Sequence, residues 1–117
     1  MKENILKEKT LLFAIRVVNL YRFLTTEHKE YVLSKQVLRS GTSVGAMIRE
    51  AEFGQSKSDF IHKLSIAQKE INETIYWLEL LQKTDYIPYD SYESINLDAI
   101  EIIKLITSSI KTAKSKD

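Results

Sequence analysis

Residues 57–83 read KSDFIHKLSIAQKEINETIYWLELLQK and contain neither glycine nor proline. Their apolar side chains recur every three or four positions, the spacing that places them on one face of an α-helix. Just before this stretch, Ser56 is followed three residues later by Asp59, which is the pattern of a helix N-terminal capping box. We therefore predict a long amphipathic helix. The residues on its core side are Phe60, Leu64, Ala67, Ile71, Ile75 and Leu78.

Similar periodicity elsewhere predicts a chain of four helices. Ser34 is the predicted N-cap of the second helix, and Asp90 that of the fourth. The 117 residues include only three glycines and one proline, too few for the many turns of a β-sandwich or barrel. Long helices with short links predict a single all-α domain over residues 1–117, an antiparallel up-down-up-down four-helix bundle. We expect the helices at about residues 4–25, 34–53, 57–83 and 91–114.

The composition argues against an enzyme or a metal site. Without cysteine, the chain has neither disulfides nor thiolate ligands. A di-iron site in a bundle needs two Glu-x-x-His motifs, and Asp59-x-x-His62 is only an imperfect half-match. Glu70 and Glu73 are spaced for a pair of carboxylates, but we interpret them as surface acids. We predict a non-enzymatic protein without metal or cofactor.

The hydropathy pattern indicates where the protein acts. There is no basic-then-apolar leader and no uninterrupted run of about 18 apolar residues. We therefore expect a soluble cytoplasmic protein that does not contact a membrane.

Three helices carry more apolar surface than one core can bury, and on the fourth of the chain Leu97, Ile100 and Ile103 lie beside the inward stripe. Between Leu11 and Leu24 only three residues are polar, so the first helix is apolar on more than one side. On a helical wheel of the third helix, Ile66, Trp77 and Leu80 fall opposite the core side, among charged residues. A single exposed tryptophan is the simpler explanation for Trp77. We instead predict a homo-oligomer with these three residues at its interface, as a closed ring or a two-fold dimer.

Gly41 and Gly45 lie four residues apart in the second helix. A glycine inside a helix costs up to about 1 kcal/mol relative to alanine. Two on one face indicate either a locally weak, kinked helix or a backbone that another helix approaches closely. We favour the close approach and include both glycines in the predicted oligomer interface.

The charges are unevenly distributed although the net charge is only +1. Residues 70–101 carry a net charge of −7, whereas residues 1–69 carry +5 and residues 102–117 carry +3. In an up-down bundle the basic side chains collect at one end, and such an end can neutralise phosphates. Carboxylates are mixed among them and no aromatic residue is clearly placed there to stack on bases, so a solvated surface is the alternative. The candidate nucleic-acid contacts are Lys57, Lys63, Lys111 and Lys114.

Five segments together resemble a known family. They are SGTSVGA at 40–46, EA at 50–51, SKSDFIHK at 56–63, IAQKE at 66–70 and ETIYWL at 73–78. They look like the four-helix-bundle proteins named after the intervening sequences of 23S ribosomal RNA genes. The resemblance implies a bacterial bundle whose relatives assemble as homopentamers, and a similar, more basic branch is the accessory variability determinant of diversity-generating retroelements, which associates with a reverse transcriptase and nucleic acid.

The resemblance also suggests roles for individual residues. Met47 departs from it, because the family usually has asparagine there. Five charged residues match the family motif, and we expect them to form salt bridges between helices or subunits. They are Lys57, Asp59, Lys63, Glu70 and Glu73.

Two functional hypotheses follow. The first is a pentameric assembly module that scaffolds a protein partner. The second is an RNA- or ribosome-associated binder that uses the basic end of the bundle.

Overall fold

The computed structural model describes residues 2–116, with side chains from Ile5 onward. The described residues form four α-helices and no strand, which confirms the predicted all-α class. Every predicted helix end lies within two residues of the observed one. None of these helices combines the length and apolarity needed to cross a membrane. The helices are α1 (Lys2–Glu27), α2 (Leu33–Glu52), α3 (Lys57–Lys83) and α4 (Tyr89–Ser115).

The four helices pack as a bundle in which each contacts its two neighbours in cyclic order, α1 with α2 and α4, and α3 with α2 and α4. Ion pairs between neighbouring helices give the directions. Lys7, near the start of α1, pairs with Glu52 at the end of α2. Lys9 pairs with Glu101 and Arg16 with Asp98, so the residue numbers fall along α4 as they rise along α1. These pairings are those of an antiparallel up-down-up-down bundle 50 Å long and about 20 Å across.

The core consists of the apolar stripes that the periodicity predicts. On α3, Leu64, Ala67, Ile71 and Leu78 are buried, whereas Phe60 is half-buried at the end of the bundle. The buried stripe of α4 is Ile95, Ala99, Ile102, Ile106 and Ile110, and that of α2 is Val37, Ser40, Gly41, Val44, Ile48 and Ala51.

The N-terminus of α2 is capped by a glutamate rather than by the predicted serine. The Glu30 carboxylate accepts hydrogen bonds from the backbone N–H groups of Val32, Leu33 and Ser34, at 3.1, 3.0 and 2.7 Å. Ser34 lies inside the first turn, is buried, and donates its hydroxyl to the Glu30 carbonyl at 2.8 Å. Lys29 has a φ of 53°, and this left-handed residue turns the chain so that Glu30 reaches the helix end.

The other two predicted caps differ in outcome. Ser56 caps α3 as predicted, since its hydroxyl accepts from the Asp59 N–H at 3.0 Å. The Asp90 prediction is wrong, because α4 begins at Tyr89, directly after Pro88 and two residues earlier than predicted, so that Asp90 lies in the first turn. Proline is well suited to such a boundary because its ring clashes with a helical conformation of the preceding residue.

Candidate interaction surfaces

The α3 residues that the sequence assigns to an interface, Ile66, Trp77 and Leu80, are all half-buried. Part of the Trp77 ring packs against the core, and its indole N–H donates to the Glu73 carboxylate at 2.9 Å. The helical wheel is therefore wrong in placing this ring opposite the core. A wheel records the direction of Cβ, whereas a long indole reaches sideways to the edge of the core. The interface role of the three residues stays a prediction.

Arg39 of α2 forms ion pairs with two glutamates on this edge of α3. Its guanidinium donates to Glu70, at 3.1 Å, and to Glu73. Two hydrogen bonds hold the pKa of the Glu73 carboxyl below its usual range. The larger effect comes from the Trp77 indole N–H and the smaller from Arg39. Lys63 likewise bonds to Glu50 of α2, at 3.1 Å. Salt bridging between helices, which we expect from the family motif, is thus confirmed for Lys63, Glu70 and Glu73.

The two glycines of α2 lie against α1 of the same chain. A Cβ built on Gly41 would be 2.8 Å from both γ-carbons of Val17, so no side chain fits there. At Gly45 the nearest atoms are the carbonyl and hydroxyl oxygens of Thr10, at 3.4 Å. The predicted close approach is therefore made within the chain. Gly41 is buried beneath α1 and cannot also face a second subunit, which corrects its assignment to the interface.

The outward side of α1 and α2, which we call the α1–α2 face, is apolar at its centre and basic at its rim. Leu11, Ile15 and Val18 of α1 recur at helical spacing, and Ile15 is 50% exposed. Beside them, Thr42, Gly45 and Ala46 line a notch of about 110 Å³ between the helices. The rim consists of Arg22, Lys35 and Arg49, which are exposed and form no ion pair among the described residues, together with one acid, Glu8.

The outward side of α4, which we call the α4 face, has the opposite charge. Asp90, Glu93, Leu97, Glu101 and Lys104 follow one another three or four residues apart, and all are exposed. Leu97 is 64% exposed at the centre of the row. Glu101 reaches Lys9 of α1 at 3.2 Å. An exposed leucine ringed by acids lies on the side of a bundle helix where a charged residue is usual.

The basic end of the bundle holds the four candidate nucleic-acid contacts. Lys57 begins α3, while Lys111 and Lys114 lie in the last turns of α4, so antiparallel packing brings them to the same end. Lys63, one turn further along α3, is engaged by Glu50. Part of the positive charge at this end is therefore neutralised within the chain.

An aromatic ring also lies at this end, which corrects the expectation that none is placed there. Phe53 follows the last residue of α2 and is 80% exposed, the largest exposure of any large apolar side chain described. It lines an open groove with Arg49 and Lys63. The signal was present in the sequence, because Phe53 falls on the same helical side as Lys35 and Ala46, away from the core.

A groove of about 400 Å³ lies between α1 and the start of α4. Phe23 and Ile95 are among its mainly apolar lining residues, and Arg16 is its cation. The Arg16 guanidinium is already bound within the chain, since it donates to the Asp98 carboxylate at 2.7 Å and to the Ser94 hydroxyl at 2.9 Å. Among the side chains described, those of residues 5–116, no three of His, Cys, Asp or Glu gather as a metal ion would require.

Comparison with known proteins shows which proteins the chain is related to. A solved structure, described as a protein with unknown function from the S23 ribosomal protein family of Bacteroides thetaiotaomicron VPI-5482, has 64% sequence identity and a TM-score of 0.94. The match covers 95% of this chain and 99% of that one. No curated protein matches the chain. The sequence profile of 23S rRNA-intervening sequence proteins matches residues 2–108, so the chain belongs to that family.

Proposed function

We propose that this chain is a non-enzymatic assembly module, a cytoplasmic homo-oligomer that scaffolds a protein partner. The observation that carries the proposal is the apolar outward side of α1, where Leu11, Leu12 and Ile15 are each about half exposed. An outer helix of a solitary bundle needs only one apolar face. A contiguous exposed apolar surface with a polar rim is typical of a protein interaction site.

The energetics favour self-association over exposure. Full burial of a leucine or isoleucine side chain is worth about 1.5–3 kcal/mol, so covering the exposed halves of several such residues supplies several kcal/mol. Association costs at least about 4 kcal/mol in lost translational and rotational freedom. One isolated residue could not offset that cost, whereas a surface with five exposed apolar residues on α1 alone can. These are Ile5, Leu11, Leu12, Ile15 and Phe23.

We propose five subunits, the number that the family resemblance implies. Sedimentation equilibrium of the wild-type chain at micromolar concentration tests the proposal, with 13.6 kDa as the mass of one copy. A mass of about five copies is the expected result, and a folded single copy would contradict the proposal. Trp77→Ala tests the α3 prediction separately, since an unchanged mass removes Trp77 from the interface.

A second candidate function, binding of single-stranded RNA at the basic end, is favoured by Phe53. An exposed aromatic ring beside cations is the arrangement on which bases stack, and each stacked base is worth about 1–3 kcal/mol. Lys111 and Lys114 lie exposed at the same end. Binding of this kind weakens steeply with salt.

Filter binding with ribosomal RNA fragments at two salt concentrations tests this candidate. Phe53→Ala is expected to weaken binding by roughly tenfold, and reversal of Lys111 and Lys114 to Glu is expected to abolish it. Tyr89→Ala, at the opposite end and also exposed, is the matched control. Absence of binding at low salt eliminates this function.

A further inference from the structure

We propose that the α1–α2 face of one copy packs against the α4 face of the next copy, so that subunits join head to tail. The contact presupposes the self-association proposed above and names the surface that each copy offers to its neighbour. At its centre, Leu97 of one copy packs on Leu11 and Ile15 of the next. All three are about half exposed or more in the single chain.

The first support is the charge of the two faces. The α1–α2 face carries three cations, Arg22, Lys35 and Arg49, and one acid, Glu8. The α4 face carries three acids and one cation, as its residues Asp90, Glu93, Glu101 and Lys104 show. The first face is therefore positive and the second negative, and on the second face Lys9 of α1 already pairs with Glu101. Opposite potentials on two apolar-centred faces steer them together and disfavour contact of either face with its own kind.

The second support is the height of the residues along the bundle. Subunits related by rotation about an axis parallel to the bundle meet at equal heights. The Arg16–Asp98 and Lys9–Glu101 pairs together fix how α1 and α4 are aligned, and the mean of the two places Leu97 level with Ile15. Because antiparallel helices have the same rise, residues seven positions along are level as well. Arg22 is then level with Asp90 and lies about one turn from Glu93.

The remaining charges match in the same alignment. Gly41 lies against Val17 and Gly45 against Thr10, so Lys35 on α2 is level with Arg22 on α1. The two cations therefore meet the acidic start of α4. Toward the other end, Glu8 is level with about Lys104. One vertical alignment thus brings an apolar centre, a cluster of opposite charges and a second opposite pair into register.

The third support is the shape of the subunit. The α1–α2 face lies on one side of the bundle, whereas α4 is at a corner between α1 and α3, not directly opposite. Contacts between surfaces that are not opposite turn each copy relative to the last, which is how a head-to-tail chain closes into a ring. The bundle is 50 Å long, so a contact that extends along most of its length and is about 16 Å wide reaches the roughly 800 Å² per partner of a standard interface.

A mixing experiment tests the head-to-tail contact. Ile15→Glu places a charge at the apolar centre of the α1–α2 face, and Leu97→Glu does the same on the α4 face. Both positions are exposed, so neither substitution changes the core. Alone, each variant is expected to sediment as one copy of 13.6 kDa, with a far-ultraviolet circular dichroism spectrum like that of the wild type. Mixed, they are expected to form a 1:1 dimer, because each keeps the face that the other lacks.

A charge exchange gives an independent readout. Arg22→Glu is expected to weaken assembly at least tenfold, and adding Glu93→Arg in the same chain is expected to restore it. Tyr76→Glu, an exposed aromatic on α3 outside both faces, is the control and is expected to leave the mass unchanged.

Each other outcome has a definite meaning. If the wild type assembles but both Glu variants keep its mass, or if their mixture stays monomeric, the head-to-tail contact is wrong and self-association stands. If the folded wild type is itself a single copy, both proposals fail.

Discussion

Gly41 and Gly45 have the same residue type but different surroundings, and this difference predicts opposite effects of alanine. At Gly41 the new methyl group meets the γ-carbons of Val17 at 2.8 Å. Val17 is fully buried and cannot move aside. We expect Gly41→Ala to lower the free energy of unfolding by about 1–3 kcal/mol, the usual cost of overpacking a core. Urea unfolding followed by circular dichroism measures it.

Gly45→Ala is the matched comparison in the same experiment. The new methyl group meets Thr10 at 3.4 Å, an ordinary van der Waals distance. Alanine also has the higher helix propensity, so the free energy of unfolding should stay the same or rise by up to about 1 kcal/mol. Equal destabilisation by both substitutions would show that α1 packs as tightly on Gly45 as on Gly41. No destabilisation by Gly41→Ala would show that the helices can separate there without strain.

The positions of single side chains are the feature that is hardest to predict from the sequence. The spacing of glycines predicts a close approach but does not identify the helix that makes it. Trp77 and Phe53 show the same limit for aromatic rings. The wheel fixes the side of the helix on which Phe53 lies, yet the reach of the Trp77 indole toward Glu73 depends on the position of Arg39 on another helix.

At the scale of the element, the start of α2 depends on one carboxylate. Burial by itself raises the pKa of the Glu30 carboxyl, but hydrogen bonds from the backbone N–H groups of Leu33, Ser34 and Val32 outweigh it, so the pKa lies below its ordinary value of 4.5. A group whose pKa is lowered on folding stabilises the folded state when ionised. That stabilisation is complete above about pH 5 and is lost as the pH falls through the lowered pKa.

Glu30→Gln tests this cap without changing its shape. We expect it to lower the free energy of unfolding by about 1 kcal/mol at pH 7, and by progressively less as the pH falls below 4.5. Urea unfolding at several pH values measures the difference. Glu27→Gln, at the exposed end of α1, is the control and should have little effect at any pH. If the free energy of unfolding of Glu30→Gln differs from that of the wild type by the same amount from pH 7 to pH 3, the charged cap is ruled out.

The helices themselves follow from the sequence because their signals are local and repeated. Over residues 57–83 the apolar spacing, the Ser56 cap and the absence of glycine and proline all agree. The start of α2 is less predictable. Ser34 is a good capping residue by type, but the turn at Lys29 carries Glu30 to the helix end first. That depends on a backbone conformation that no pattern of residue types specifies.

For the molecule as a whole, the bundle could be predicted but its exposed surface could not. Periodicity shows that α1, α3 and α4 all have excess apolar residues. Only packing shows that Trp77 is partly covered within the chain while Leu11 and Ile15 are left exposed. The apolar area available for assembly is therefore on α1 and α4 rather than on α3.

The proposed self-association predicts a thermal stability that depends on concentration. A partner that binds only the folded chain stabilises it by mass action, and in an oligomer that partner is the protein itself. Each tenfold rise in protein concentration adds about 1 kcal/mol per subunit to the free energy of unfolding, which for a domain of this size raises the Tm by several degrees.

We expect this rise in Tm for the wild type between about 1 and 100 µM. Leu97→Glu should have one Tm at all concentrations, as should Ile15→Glu, because each removes one of the two faces. Differential scanning calorimetry and circular dichroism together cover this range, with Tyr76→Glu as the control that should follow the wild type. A wild-type Tm that does not change with concentration would mean that the exposed side of α1 has no second copy to cover it.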